Sequence, residues 1–327
     1  MHPALSVIFF TTLSGAGYGL LALLGAGIAL GWWPKTFASV AAPALLGMSL
    51  AGIGLLASMA HLGQPRRAWR AFSQWRSSWL SREGVCAVLS YLPALTVLYC
   101  SWRLDPKDDW PLAARIAAAL LLLAAIATVY CTARIYSSLR TIPAWNNAWV
   151  APVYLVLAGF SGGLWLWLLA SWQHRHDALY WNLIGLPPWL LMGVVLSAML
   201  AAALKLMYWR RLDQAAPLAT SASATGLGRF GSVSSFEKPH TEQNYINREM
   251  GFVVARKHAQ KLRAVAMLAG LALPLAAIGA SVLWTGLSLT FALLALLGGS
   301  AGIFVERWLF FAEARHVVNL YYGSTQV

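Results

Sequence analysis

His61, Gly63, Arg67 and Glu83 fall within one 24-residue stretch, A-H-L-G-Q-P-R-R-A-W-R-A-F-S-Q-W-R-S-S-W-L-S-R-E, from Ala60 to Glu83. It holds five arginines, three tryptophans, one histidine and no acid before its last residue. An imidazole exchanges protons near neutral pH. A carboxylate can relay them, and a guanidinium can fix a carboxylate or a ligand oxygen through charge-assisted hydrogen bonds. Gly63 allows close backbone approach, and Pro65 breaks a helix. These parts suit a pocket that trades protons with an oxygen-bearing ligand.

The elements that must position them are apolar. The protein has 327 residues, 59% hydrophobic and 11% charged, against about 25% charged in a soluble globular protein. Met1 to Pro34, Ala178 to Leu204 and Ala264 to Val305 contain no Asp, Glu, Lys or Arg. Runs of about 18 or more such residues are transmembrane candidates. The third run is about twice the ~20 residues of one crossing, and Trp284-Thr285-Gly286 in its middle predicts a tight turn between two helices. The first run lacks a basic leader and exceeds the apolar core of a cleavable signal, so it is expected to stay as a helix.

Eight spans are predicted, roughly 5–31, 38–60, 84–102, 112–133, 149–171, 188–209, 264–284 and 287–310. The fold class is all-α, a polytopic membrane protein read as one domain over 1–327. Helix is expected because lipid-exposed backbone must satisfy its own hydrogen bonds. Tryptophans near the span ends, among them Trp32, Trp33, Trp102, Trp110, Trp145, Trp172, Trp209 and Trp284, read as an interfacial belt. The longest loops follow spans two and six, a spacing compatible with two four-helix groups.

An even number of spans puts both termini on one side, side A, with the loops after spans two, four and six. Side A carries eighteen of the 24 basic residues and the opposite side five, with Lys205 inside span six. This asymmetry predicts a cytoplasmic side A, cytoplasmic termini and a place in the bacterial inner membrane. The net charge of +13 lies mostly on that face. Anionic lipid accounts for part of it and a docked acidic protein for more. Short loops at a membrane surface are a poor platform for nucleic acid.

Several chemistries are demoted. The span middles are clear of ionisable side chains, with Lys205 about a turn from its span end and Glu306 beside Arg307 near another, which argues against an ion-coupled transporter. The seven histidines lie at span ends or in loops, away from haem-ligating positions. His174 and His176 with Asp177 read as a solvated loop rather than a metal site. Cys86, Cys100 and Cys131 form no C-x-x-C. Gly226 to Gly231, G-L-G-R-F-G, fits the dinucleotide pattern, but that pattern has meaning only between a strand and a helix. It lies in the loop of about 210–262, whose second half, E-K-P-H-T-E-Q-N-Y-I-N-R-E-M-G-F, reads as a defined surface contact.

That leaves the opening stretch, with His61 ending span two and Glu83 opening span three on side A. A pocket there would suit a quinone, whose ring and tail need apolar surface and whose oxygens need proton partners. The alternative is a set of interfacial anchors obeying the charge rule.

At these residues the whole sequence resembles the DmsC family, the membrane anchor subunits of molybdopterin oxidoreductases related to dimethyl sulfoxide reductase. The resemblance covers the opening M-H-P-A-L-S-V-I-F-F-T-T-L-S-G-A-G, the segment H-L-G-Q-P-x-R-A-W, the loop T-G-L-G-R-F-G through N-R-E-M-G-F, and A-R-K-H. The opening motif and the loop are more similar to the branch found in cytoplasmic sulfite-oxidising complexes than to the enteric dimethyl sulfoxide reductase branch. The resemblance implies a heterotrimer with a molybdopterin catalytic subunit and an iron–sulfur subunit with four clusters. It implies that the anchor exchanges electrons with a quinone, ubiquinone or menaquinone, and binds no haem, metal or iron–sulfur cluster itself. The family's quinone pattern, H-x-G-x3-R-x15-E, maps onto His61, Gly63, Arg67 and Glu83. Gln64, Arg66, Trp69 and Arg70 are further pocket or docking candidates. Docking on side A, the cytoplasmic face by charge, favours sulfite oxidation with electrons passing to quinone. The alternatives are a quinol-oxidising anchor of a dimethyl sulfoxide or related S- or N-oxide reductase and, from another class, a small-molecule transporter.

Overall fold

Apolar runs bounded by capping residues fold as the eight expected helices. A computed structural model describes residues 4–60, 64–105, 107–176, 188–234, 236–237, 257–322, 324 and 327. The helices are α1 (Leu5–Ala29), α2 (Phe37–Met59), α3 (Trp79–Arg103), α4 (Leu112–Ser137), α5 (Val150–His176), α6 (Pro188–Gln214), α7 (Ala259–Leu283) and α8 (Ser288–Ala312). Each is long and apolar enough to cross a membrane, and no strand occurs among the described residues. Thr36 and Ser78 cap α2 and α3 by accepting from the backbone N–H of Ser39 and Ser81. Gly31, at φ 75, makes the left-handed turn between α1 and α2. A turn of π-helix at Leu268–Ala272 interrupts α7 just before Pro274.

The two halves repeat one packing order. Helix α1 packs on α2 and α4, and α3 on α4; correspondingly α5 packs on α6 and α8, and α7 on α8. The leading helices of the halves, α1 and α5, cross at the centre. There the backbones nearly touch: a Cβ on Gly19 would lie 1.8 Å from the Ala158 carbonyl oxygen, and one on Gly162 2.1 Å from the Gly19 carbonyl carbon. Close approach of small residues is what joins helices in lipid, where no hydrophobic driving force separates helix from solvent. Leucines such as Leu56, Leu92, Leu123 and Leu297 point outward and remain exposed, as lipid contact requires.

The helices on side A run further than their apolar runs. Helix α6 continues through Arg210 and Arg211 to Gln214, and α7 begins before Lys261 and Arg263. The tryptophans also divide. Trp32, Trp102, Trp172 and Trp284 face outward, as an interfacial belt would, but Trp33, Trp110, Trp145 and Trp209 are buried. Three of these four indoles sit in the packing of loops and helix ends. The Trp33 indole donates to the Ser39 carbonyl at 3.0 Å, the Trp110 indole to the Trp33 carbonyl at 3.1 Å, and the Trp145 indole to the Phe310 carbonyl at 2.9 Å.

The loop after α6 begins with a short helical turn, Ser221–Thr225, closed by Gly226 at φ 70 and followed by a 3-10 turn over Leu227–Phe230. G-L-G-R-F-G thus joins a helical turn to a 3-10 turn, without the strand that a dinucleotide fingerprint needs. Most of the expected contact segment that follows it lies outside the described residues.

Candidate functional site

The connection from α2 to α3 folds as a 3-10 helix, Pro65–Gln74, opened by its proline. It is pinned to the start of α3. The Ser81 hydroxyl donates to the Ala71 carbonyl. Arg82 donates through Nε to the Trp75 carbonyl at 3.0 Å and through Nη2 to the Arg76 carbonyl at 2.6 Å. The Phe72 ring packs on Gly84, where a Cβ would meet it at 3.1 Å. The guanidinium of Arg82 lies 4.3 Å over the Trp79 ring and that of Arg134 5.2 Å, geometry that adds cation–π attraction.

Among the candidates, Gln64, Arg66, Arg67, Trp69 and Arg70 all lie on this segment, and Trp69 is 66% exposed. Arg70 lies 5.7 Å over Trp69. His61 and Gly63 lie outside the described residues. Glu83 has the opposite environment: it is on the second turn of α3 and only 3% exposed. Its Oε1 accepts a hydrogen bond from the Thr132 hydroxyl of α4, and among the described residues it makes no ion pair. The structure therefore joins Glu83 to Thr132 and leaves Arg67 on the surface segment.

Thr132 leads into a small cavity at the meeting of α1, α4, α5 and α8. Thr11, Thr12, Ser14, Thr132, Tyr154, Ser161 and Arg307 contribute its polar lining, and its volume is about 20 Å³, room for a single water. Thr11, Ser14 and Ser161 donate to carbonyls of their own helices. The Thr12 Oγ1 and the Tyr154 hydroxyl are buried with no hydrogen-bond partner among the described residues. Unpaired buried hydroxyls are costly, so such groups are normally met by protein or water.

Beyond the cavity stands a fully enclosed charge cluster. Lys205 Nζ lies 2.6 Å from Glu306 Oε1, and Arg307 grips the same carboxylate through Nε and, at 2.7 Å, through Nη2. The cluster carries two cations and one anion. Aromatic faces hold the surplus positive charge: Arg307 lies 4.1 Å over Tyr154, and Lys205 lies 4.2 Å over Tyr208 and 4.6 Å over Trp209. Lys205 stands nine residues before the end of α6, about 14 Å along the axis. Lys205 therefore lies further from the end of its helix than the one turn expected from the apolar run, because α6 extends past its first arginine.

Arg263, 5.3 Å over the Trp209 ring, forks onto Asp213 at 2.7 and 3.0 Å and reaches Glu313 at 2.9 Å. Burial pushes the Glu313 carboxyl above its ordinary pKa even with Arg263 beside it. This pair borders a groove of about 420 Å³ between Pro143, Leu212, Pro217 and Gln260. No grouping of His, Cys, Asp and Glu among the described residues is arranged to hold a metal.

The sequence matches the family model described as DMSO reductase anchor subunit (DmsC) over residues 1–312. It is 34% identical over 342 aligned positions to a protein of Allochromatium vinosum named as the C subunit of a sulfite dehydrogenase, with 99% of each protein aligned. It is also 30% identical over 115 positions to the C component of the anaerobic dimethyl sulfoxide reductase of Escherichia coli, with 35% of this protein and 38% of that one aligned.

Proposed function

The protein belongs to the DMSO reductase anchor subunit (DmsC) family, and from that membership we propose that it is the quinone-reducing anchor of a sulfite-oxidising molybdoenzyme. The observation that carries the substrate is the end-to-end similarity to a protein named as a subunit of sulfite dehydrogenase. In this reading a molybdopterin subunit oxidises sulfite to sulfate and an iron–sulfur subunit with four clusters takes up the two electrons. That subunit docks on side A, the cytoplasmic face of the inner membrane, where exposed Arg66, Arg67 and Arg70 flank Trp69.

The electrons reduce ubiquinone or menaquinone in a pocket at the side-A ends of α2 and α3. His61 and Glu83 supply the two protons, Arg67 holds a quinone oxygen, and Gly63 lets the ring approach the backbone. The support is the buried carboxyl of Glu83, held by a hydroxyl rather than a cation, directly behind the cationic segment. A carboxyl kept at membrane depth without a cation is expensive unless it has work to do. The second reading, a quinol-oxidising anchor of an S-oxide reductase, draws on the shorter similarity to the Escherichia coli protein. Affinity purification of a tagged copy in mild detergent tests both. Co-purification of a cytoplasmic catalytic subunit with sulfite-dependent quinone reduction supports the first; an exported one with quinol-dependent S-oxide reduction replaces it.

A further inference from the structure

We propose that Glu83 is reloaded with protons from inside the bundle, through Thr132 and a water held between Thr12 and Tyr154. The inference rests on the reading of Glu83 as a proton donor to quinone.

The Thr132 hydroxyl has one proton and two acceptors. It donates to Glu83 Oε1, and the Thr128 carbonyl one turn earlier lies 3.1 Å away. This arrangement serves both protonation states of the carboxyl. When Glu83 is protonated, it donates to Thr132, which turns its own proton to Thr128. When Glu83 has given its proton away, the Thr132 hydroxyl swings back to the carboxylate. The oxygen of Thr132 then keeps a lone pair for a donor on its other side, where it lines the cavity.

The cavity supplies that donor. Its volume of about 20 Å³ matches one water. Two residues of its lining, Thr12 and Tyr154, have buried hydroxyls without a hydrogen-bond partner among the described residues; these are the groups a water would satisfy, and Tyr154 is only 6% exposed. The remaining hydroxyls are already engaged with their own helices. Arg307, 4.1 Å over the Tyr154 ring, closes the far wall with the cluster of two cations and one anion. That positive charge resists an excess proton resting in the cavity and so favours its passage to the carboxylate.

The step balances. Quinone takes two electrons from the iron–sulfur subunit and two protons, one of them from Glu83. Glu83 regains its proton from the Thr132 hydroxyl, Thr132 takes one from the cavity water, and exchange of that water with bulk solvent replaces the proton given up. Among the described residues, no group of the arginine segment is hydrogen-bonded or ion-paired to the carboxyl, which is bonded to Thr132 instead. Thr132 and Tyr154 act through Glu83 and are positioning residues.

The test uses the whole complex with short-chain ubiquinone and two readouts: quinone reduction, and the rate at which the Glu83 carboxyl exchanges hydrogen for deuterium, followed by its infrared band. Thr132→Val should slow both by about a hundredfold, the low end of the range for a lost proton-transfer partner, with quinone affinity retained. Thr132→Ser, which keeps the hydroxyl, should restore both. Thr12→Val combined with Tyr154→Phe should slow exchange similarly. Wild-type exchange in Thr132→Val would overturn the relay. Should Glu83→Gln leave quinone reduction untouched, the quinone-site reading fails instead, and the exchange rate in Thr132→Val still decides the relay by itself.

Discussion

Lys205 of α6 and Glu306 of α8 meet at 2.6 Å with both side chains almost wholly enclosed. Arg307 shares the same carboxylate, so one anion restrains two cations inside the bundle. Removing one member of a buried ion pair strands the other, at a cost of about 3–5 kcal/mol. The three charges are not equivalent, and the difference is measurable.

Glu306→Gln leaves two cations side by side with no anion, whereas Lys205→Met leaves the Glu306–Arg307 pair intact. We expect Glu306→Gln to lower the thermal midpoint of the detergent-solubilised protein severely or prevent its accumulation. Lys205→Met should have the smaller effect. Equal midpoints for the two variants would show that the cluster does not carry this charge balance.

The crossing of α1 and α5 gives a steric prediction. A methyl on Gly19 would lie 1.8 Å from the Ala158 carbonyl oxygen, while nothing lies within 4 Å of the same position on Gly15. Gly19→Ala should therefore force the two halves apart and reduce the yield of monodisperse protein. Gly15→Ala should leave it unchanged or slightly raised, since alanine is the better helix former. Size-exclusion chromatography of both variants decides the matter.

Arg82 ties the surface segment to α3 through the carbonyls of Trp75 and Arg76. Arg82→Ala should free the segment and expose the bonds after Arg70 and Arg76 to trypsin added on the side-A face. Arg115→Ala, on the opposite side of the bundle, should not. Identical cleavage rates in the two variants would mean that other contacts hold the segment.

Glu313 gives a pH dependence. Burial raises its pKa, so the folded state holds the proton more firmly than the unfolded one. Its contribution to stability is present below the ordinary carboxylate range and is lost as pH climbs through the raised value. Glu313→Gln should flatten that part of the pH profile of the thermal midpoint. A variant that keeps the wild-type slope would assign it to another group.

The eight helices were legible because lipid demands long uncharged runs, and such runs are rare by chance. Their side-A ends were not, because Lys and Arg can extend their stems along a helix that continues beneath them. Stopping α6 near Trp209 left out the helical turn that carries Arg210, Arg211 and Asp213. Among the proposed site residues, those from His61 to Glu83 stand out in the sequence by type and spacing. Thr132, Tyr154 and Thr12 left no mark in the sequence, since hydroxyls in apolar helices usually bond their own backbone. Only packing reveals which of them face a cavity.

The most direct measurement of the account is sulfite-dependent reduction of short-chain ubiquinone by the purified complex, comparing wild type with Glu83→Gln and His61→Ala. The account predicts that both variants assemble with the iron–sulfur and molybdopterin subunits and still oxidise sulfite with an artificial acceptor. Quinone reduction in each should fall by about a hundredfold or more, as loss of a proton-transferring group requires. Wild-type quinone turnover in both assembled variants would contradict it.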